Sequence, residues 1–274
     1  DPAPAEHLEG PKGEIEHWRA RTQHLSSIIE QLKRKDCRYV VSILSSYTKG
    51  TNDPAKSKTI GLLRRWKQID IETTEAANEA KDNLKYLSTL QRFIEPLYSG
   101  TAQSIIDTLP ALINSIKMIY TISRYYNTEE RVANMLAKIT DQMVIRCKEN
   151  ISGGTANGLW QEDPTMLIKR LDAGIKLNES YQEQYRLTKR KLERAPNGKQ
   201  FDFNEMQIFG KFDLFCRRLI KLIDMFSTID QFTILAENKL EGMEPLVDEF
   251  MHIKQDFRAK NHVLLDYHNN KFDR

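Results

Sequence analysis

Apolar residues recur three and four positions apart through most of this chain, and that spacing decides what it can fold into. Ile15, Trp18, Thr22, Leu25, Ile29 and Leu32 fall on one stripe of a helix, while Glu16, Arg19, Arg21, Glu30 and Lys33 lie elsewhere on its circumference. Val132, Leu136, Ile139, Met143 and Cys147 repeat the pattern, as do Met206, Phe209, Phe212, Phe215, Leu219, Ile223 and Phe226. No segment sustains a period of two with β-branched residues, and no Asn-Gly turn separates strand-like runs. The chain therefore reads as all-α, with about seven to nine helices packed antiparallel where their connections are short. Only 12 Gly and 9 Pro in 274 residues agree with long helices. At 40% hydrophobic and 29% charged, the chain can fill a core and does not read as a disordered tail.

Local signals divide it further. A Pro/Gly leader runs to Gly13, and the first helix follows. Tyr39 to Tyr47 reads as a short, more buried helix, and Lys49 to Pro54 as a loop. Asp53 and Pro54 start a long helix, one offering a side-chain acceptor and the other a preset φ without an N–H. Ile60, Leu63, Ile69, Ala76, Ala80, Leu84, Leu87 and Leu90 carry its apolar face, and Thr73 and Thr74 weaken its middle enough to allow a kink or break. Leu109-Pro110 predicts a helix start, and Asn127 a cap with Glu130 reaching back to it. Ser152 to Gly158 is the clearest loop. Asp163-Pro164 repeats the cap-and-proline start of a helix running past Leu167, Leu171, Gly174, Asn178, Tyr181 and Tyr185. Gly174 and Asn178 either weaken that stripe or mark the close approach of a neighbour. Further helices are expected from Asn204 to Phe226, from Ile229 to Leu240, and from Pro245 to Lys260. The expected organisation is a leader over 1–13, a first bundle over 14–151, a linker over 152–163 and a second bundle over 164–274.

Chemistry-bearing motifs are missing. The Gly153-Gly154 loop lacks the Gly-Lys-Ser/Thr ending of a phosphate loop and follows a helix. His252, His262 and His268 have no metal-site spacing and read as surface or structural residues. Cys37, Cys147 and Cys216 are too sparse for a disulfide framework and fit a reducing compartment. The basic clusters Lys33–Lys35, Arg64–Lys67 and Lys189–Lys191 read as solvated helix faces in preference to a docking patch. Tyr120, Tyr125, Tyr126, Phe203, Phe209, Phe212 and Phe215 read as core. Asn150 and Asn178 match the glycosylation sequon but fall in helices or at their ends. A net charge of +3 does not imply nucleic acid or membrane as partner. No apolar run is expected to reach bilayer-spanning length, and no signal peptide is expected from the polar start. Both ends read as cut from a longer chain. No cofactor, metal or catalytic residue is assigned.

Several stretches carry a resemblance. Gly10-Pro-Lys-Gly-Glu-Ile-Glu-His-Trp18-Arg-Ala-Arg21, Ile122-Ser-Arg-Tyr-Tyr-Asn-Thr128, Phe201-Asp-Phe203, Phe209 to Arg218, Met225 to Ile229 and Leu264 to Asp273 occur in an order similar to that of the amino-terminal tail, or stem, of dynein heavy chains. The likeness is greatest to axonemal outer-arm heavy chains and spans nearly the whole chain. The resemblance implies elongated tandem helical bundles and a non-catalytic segment, since ATP hydrolysis belongs to later parts of such chains. It implies partners among other heavy-chain tails, intermediate and light chains and docking proteins of the doublet microtubule, in the cytoplasm and ciliary or flagellar axoneme. Trp18, Leu25, Ile29 and Leu32 on the first helix, and Leu246, Phe250 and Phe257 on the last long one, are the expected docking positions. An unrelated α-helical adaptor, or a helical enzyme with a dispersed site, stays open on the residues alone.

Overall fold

The computed structural model describes residues 10–49, 54–154, 158–161, 163–194, 200–238 and 241–268. Among these, 86% are helical and none is in a strand. The long helices are α1 (Gly10–Leu32), α2 (Lys35–Tyr47) and α3 (Pro54–Ser88), followed by the single turns α4 (Gln91–Ile94) and α5 (Pro96–Ser99). Then come α6 (Ala102–Ile122), α7 (Glu129–Ser152), the single turn α8 (Gly158–Gln161), α9 (Pro164–Glu193), α10 (Glu205–Glu237), α11 (Glu244–Ala259) and the turn α12 (Asn261–Leu264).

The core is built from α6, α7, α9 and α10. α10 packs along both α9 and α7, and α6 packs along α9. Ile105, Leu109, Leu112, Ile113, Ile116 and Ile119 of α6 are all buried, each such side chain contributing roughly 2 kcal/mol through loss of water contact. Helices from both sides of the 152–163 connection thus share one core. Gly174 shows how close they come: a Cβ there would lie 2.9 Å from Leu219 Cδ1 of α10. Of the two readings open for Gly174, close approach of a neighbour is the observed one. α1 lies along α3, and its first turns reach α7.

Several expectations need correction. α1 begins at Gly10, inside the expected leader, because Gly10 adopts φ +75° against Tyr98 and Gln142, and Pro11 fits buried in the first turn. α6 begins at Ala102 rather than near Pro110, capped by the Thr101 hydroxyl, which accepts from Ser104 N–H. Pro110 sits on the exposed face and stays inside the helix at the loss of one backbone hydrogen bond. α7 is capped at Thr128 rather than Asn127 and without a side-chain bond, although Glu129 and Glu130 still favour its positive end. α3 runs unbroken through Thr73 and Thr74, and α10 unbroken through Phe226 to Glu237. The start of α9 is as expected, with Asp163 accepting from Met166 N–H and Pro164 in the first turn. Asp53 lies outside the described residues. α6, at 21 residues, is long and apolar enough to cross a bilayer by length and composition, which the sequence reading did not expect. Its apolar face is instead spent on the core, and Asp107 and Lys117 interrupt the run.

The largest correction concerns α2. It buries no residue: Tyr39 is 68% exposed, and Val40 and Ile43 are also exposed. The helix rests on a short part of α3 and on the end of α1, and no third layer covers it among the described residues. Between residues 19 and 76, no described side chain is fully buried. This arm contrasts with the filled core that begins at Ala77.

Candidate interaction surfaces

Trp18 was expected on a docking surface and is instead buried, at 3% exposure. Its indole Nε1–H donates to the Tyr126 hydroxyl at 2.7 Å, and that hydroxyl donates to Glu14 Oε1 at 2.6 Å. Lys138 Nζ donates to the other oxygen of Glu14. Ser123 extends the network: its hydroxyl accepts from the Tyr125 and Tyr126 amides and donates to Asn83 Oδ1 of α3 at 3.2 Å. Trp18 also meets Tyr125 edge to face, and the Arg131 guanidinium covers the other ring. The Ser123–Tyr126 turn therefore joins α1, α3 and α7, which gives the Ile122–Thr128 and Gly10–Arg21 stretches a common physical purpose. Burial raises the Glu14 pKa, but the Lys138 ammonium and the Tyr126 hydroxyl outweigh it and hold the carboxyl below its ordinary value. Burial, with Glu14 beside it, pushes the Tyr126 phenol well up.

Leu25, Ile29 and Leu32 are half-buried on α1, and Leu25 packs against the core cluster. Leu246, Phe250 and Phe257 are brought together on α11, facing α10 across a groove of about 440 Å3 that also includes Met225, Phe232 and Ile253. Phe250 stacks on Phe232 at 5.2 Å. Phe250 and Phe257 are half-buried, whereas Leu246 and Ile253 are exposed. The α1 and α11 sets are not combined into one site.

The remaining sequence candidates are structural. Tyr181, Tyr185, Phe201, Phe203 and Phe209 form a cluster of edge-to-face and tilted rings in the core, with Tyr120 against Phe203 at 5.3 Å. The Tyr185 hydroxyl accepts from Phe203 N–H at 2.9 Å, which fixes the Phe201-Asp-Phe203 entry into α10. Cys147 and Cys216 are buried, and burial raises both thiol pKa values to about 12. Asn178 is buried and donates to Asp213, so its sequon lies inside the fold. Gly153, at φ 60°, ends α7 in the left-handed conformation, an ordinary C-terminal stop. His252 and His268 are exposed, and the His262 side chain lies outside those described. No group of three or more His, Cys, Asp or Glu among the described residues is placed to hold a metal. Lys189, in one basic cluster, pairs with Asp202 at 2.6 Å. The surface that sequence reasoning missed is the exposed apolar groove between α2 and α3. Its signal was present in Tyr39, Val40, Ile43 and Tyr47, beside two of the basic clusters.

The described residues form a packed helical segment with apolar faces left open at its margins. Residues 2–274 match the family model described as dynein heavy chain, N-terminal region 1. The chain belongs to the dynein heavy chain family, in that amino-terminal region. It is similar to the gamma chain of the flagellar outer arm of Chlamydomonas reinhardtii, at 43% identity over 266 residues, or 96% of this chain and 6% of that one. It is also similar to dynein axonemal heavy chain 5 of Rattus norvegicus, at 40% over 264 residues, 96% of this chain and 7% of the relative. Dynein axonemal heavy chain 8 of Homo sapiens is 35% identical over the same share of this chain. The chain spans 6–7% of the length of these relatives.

Proposed function

We propose that this chain is a non-catalytic tail segment of an axonemal dynein heavy chain of outer-arm type, working in the axoneme of a cilium or flagellum. It provides a packed helical base on which heavy chains assemble, subunits bind and the motor is attached to the doublet microtubule. The observation that carries this reading is similarity along the entire fold: 96% of the chain aligns at 43% identity with an outer-arm heavy chain. The aligned length includes the buried aromatic cluster, the Trp18–Tyr126–Glu14 network and the α10–α11 groove together. Such agreement across the chain leaves an unrelated helical adaptor without support. The proposed assembly face is the exposed part of α11, at Leu246 and Ile253; their open apolar side chains support it, while Trp18 is enclosed.

The test is a pull-down of the folded chain from ciliary axoneme extract, read by mass spectrometry. Recovery of dynein heavy, intermediate or docking subunits is expected, with loss on Leu246→Glu and Ile253→Glu. Recovery of none of these by a chain that is helical and folded would overturn the reading.

A further inference from the structure

α2 and the first half of α3 frame a second groove, of about 440 Å3. Its floor is Val41, Leu44, Leu63 and Trp66, all half-buried, and its lips are Val40 and Leu62, which are 53% and 67% exposed. Nine of the twenty-one exposed large apolar side chains among the described residues lie between Ile28 and Ile71, so this part of the surface is the least covered.

Its charge is one-sided. Residues 33–67 carry ten Lys and Arg against two Asp, a net +8, whereas the whole chain is +3, leaving the other 239 residues at −5. Lys33, Arg34, Lys35 and Arg38 are exposed at the α1–α2 turn and on α2, and Arg64, Arg65 and Lys67 are exposed on α3. Asp36 and Arg65 line the groove itself, and the exposed basic side chains of both clusters border those lining positions in sequence. In this stretch, one ion pair forms among the described residues, Arg34–Asp36 at 3.8 Å and well exposed, which neutralises little of the surplus.

We propose that this groove docks the apolar face of an amphipathic helix from a partner protein, with Asp and Glu on the flanks of that helix. A slot between two helices accepts side chains spaced at i, i+3, i+4 and i+7, and its occupant completes a three-helix layer. The positive surplus of the surrounding stretch selects the flank: acidic side chains on the partner helix are attracted to it, while basic ones are repelled. A lipid surface fits less well, because the aromatic and aliphatic floor is recessed between the helices rather than projecting. A phosphate backbone fits less well, because the floor offers it no polar partner. This goes beyond the tail reading and holds whichever motor carries the segment.

The test is selection of displayed helices on the folded chain, from a library with a fixed Leu stripe and flanks randomised over Glu, Lys and Ser. Enrichment of Glu-rich flanks is expected, with capture reduced at least tenfold, about one decade of affinity, by Leu62→Asp and equally by Val40→Asp on the opposite lip. Arg64→Glu with Arg65→Glu should abolish the preference for acid, and salt should weaken capture. All four positions are exposed, so an unchanged helical melt is expected as the control. Basic or neutral flanks, no enrichment, or acidic helices indifferent to Leu62→Asp would overturn the proposal. So would phosphatidylserine vesicles, or a second copy of the chain in sedimentation, binding in place of acidic helices and lost in the same variant. A chain that recovers axonemal subunits but selects no acidic helix would sink this proposal and leave the tail reading standing.

Discussion

The four-helix core and the arm formed by distal α1, α2 and proximal α3 are written in the same alphabet of apolar stripes, yet they end in opposite states. In the core, each stripe meets two or more neighbours, and Leu136, Leu177, Tyr181 and Phe212 have no exposed surface. In the arm, α2 touches short parts of α3 and α1 with no third layer over it among the described residues, and side chains such as Tyr39 and Leu62 stay in water. The difference teaches that a stripe specifies a helix and its sticky side, while only the number of neighbours decides whether that side becomes interior or interface.

The sharpest way to break the comparison is truncation in each region. Phe212→Ala should lower unfolding free energy by about 3–5 kcal/mol, as removal of a buried ring does. Leu62→Ala should stay within about 0.5 kcal/mol; equal losses in denaturant titrations would show that the arm is as fully packed as the core. Smaller, but above the surface range, is Gly10→Ala. The added Cβ would sit at positive φ, 3.1 Å from the Tyr98 hydroxyl, and the strain should cost about 1–2 kcal/mol. Trp18→Phe keeps the ring in place and loses the bond to Tyr126, so a loss of about 1 kcal/mol is expected. A cycle with Tyr126→Phe should show coupling, and additive losses would dissolve the network as a unit.

The pH dependence is a finer probe of the same joint. Glu14 has a depressed folded pKa, so its contribution is present above the unfolded carboxylate value, about 4.3. It is lost as pH falls through the lower folded value. Removing the ammonium with Lys138→Met should flatten the denaturant midpoint across that acid range relative to the parent. The smallest effect is chemical. With thiols raised to about 12 by burial, Cys147 and Cys216 should resist alkylation at neutral pH until the core unfolds. Rapid native labelling of either would show that the core opens as readily as the arm.

Much of this was legible in the residues. Spacing found the long helices and the Asp163-Pro164 pair found the start of α9, while Gly174 left open the close approach that the structure shows against Leu219. What escaped reading depended on neighbours. The apolar side chains of α2 look like core until the absence of a covering helix is seen. Trp18 looks available until Tyr126, 108 residues away, supplies its acceptor. Pro110 looks like a start because its identity does not reveal that it faces solvent, where a missing backbone bond is cheap to replace with water. Leu246, Phe250 and Phe257 share one apolar stripe in the sequence, yet Leu246 is exposed whereas Phe250 and Phe257 are half-buried against α10.

α3 belongs to both regions at once. It is one uninterrupted helix of 35 residues, about 50 Å long, with its first half in the arm and its second half, from Ala77, keyed into the core. No proline or glycine pair near Thr73 and Thr74 offers it a joint. A load applied near Leu62 would therefore reach Leu87 and Leu90 as leverage, as along a crank whose axle is already set in its bearing.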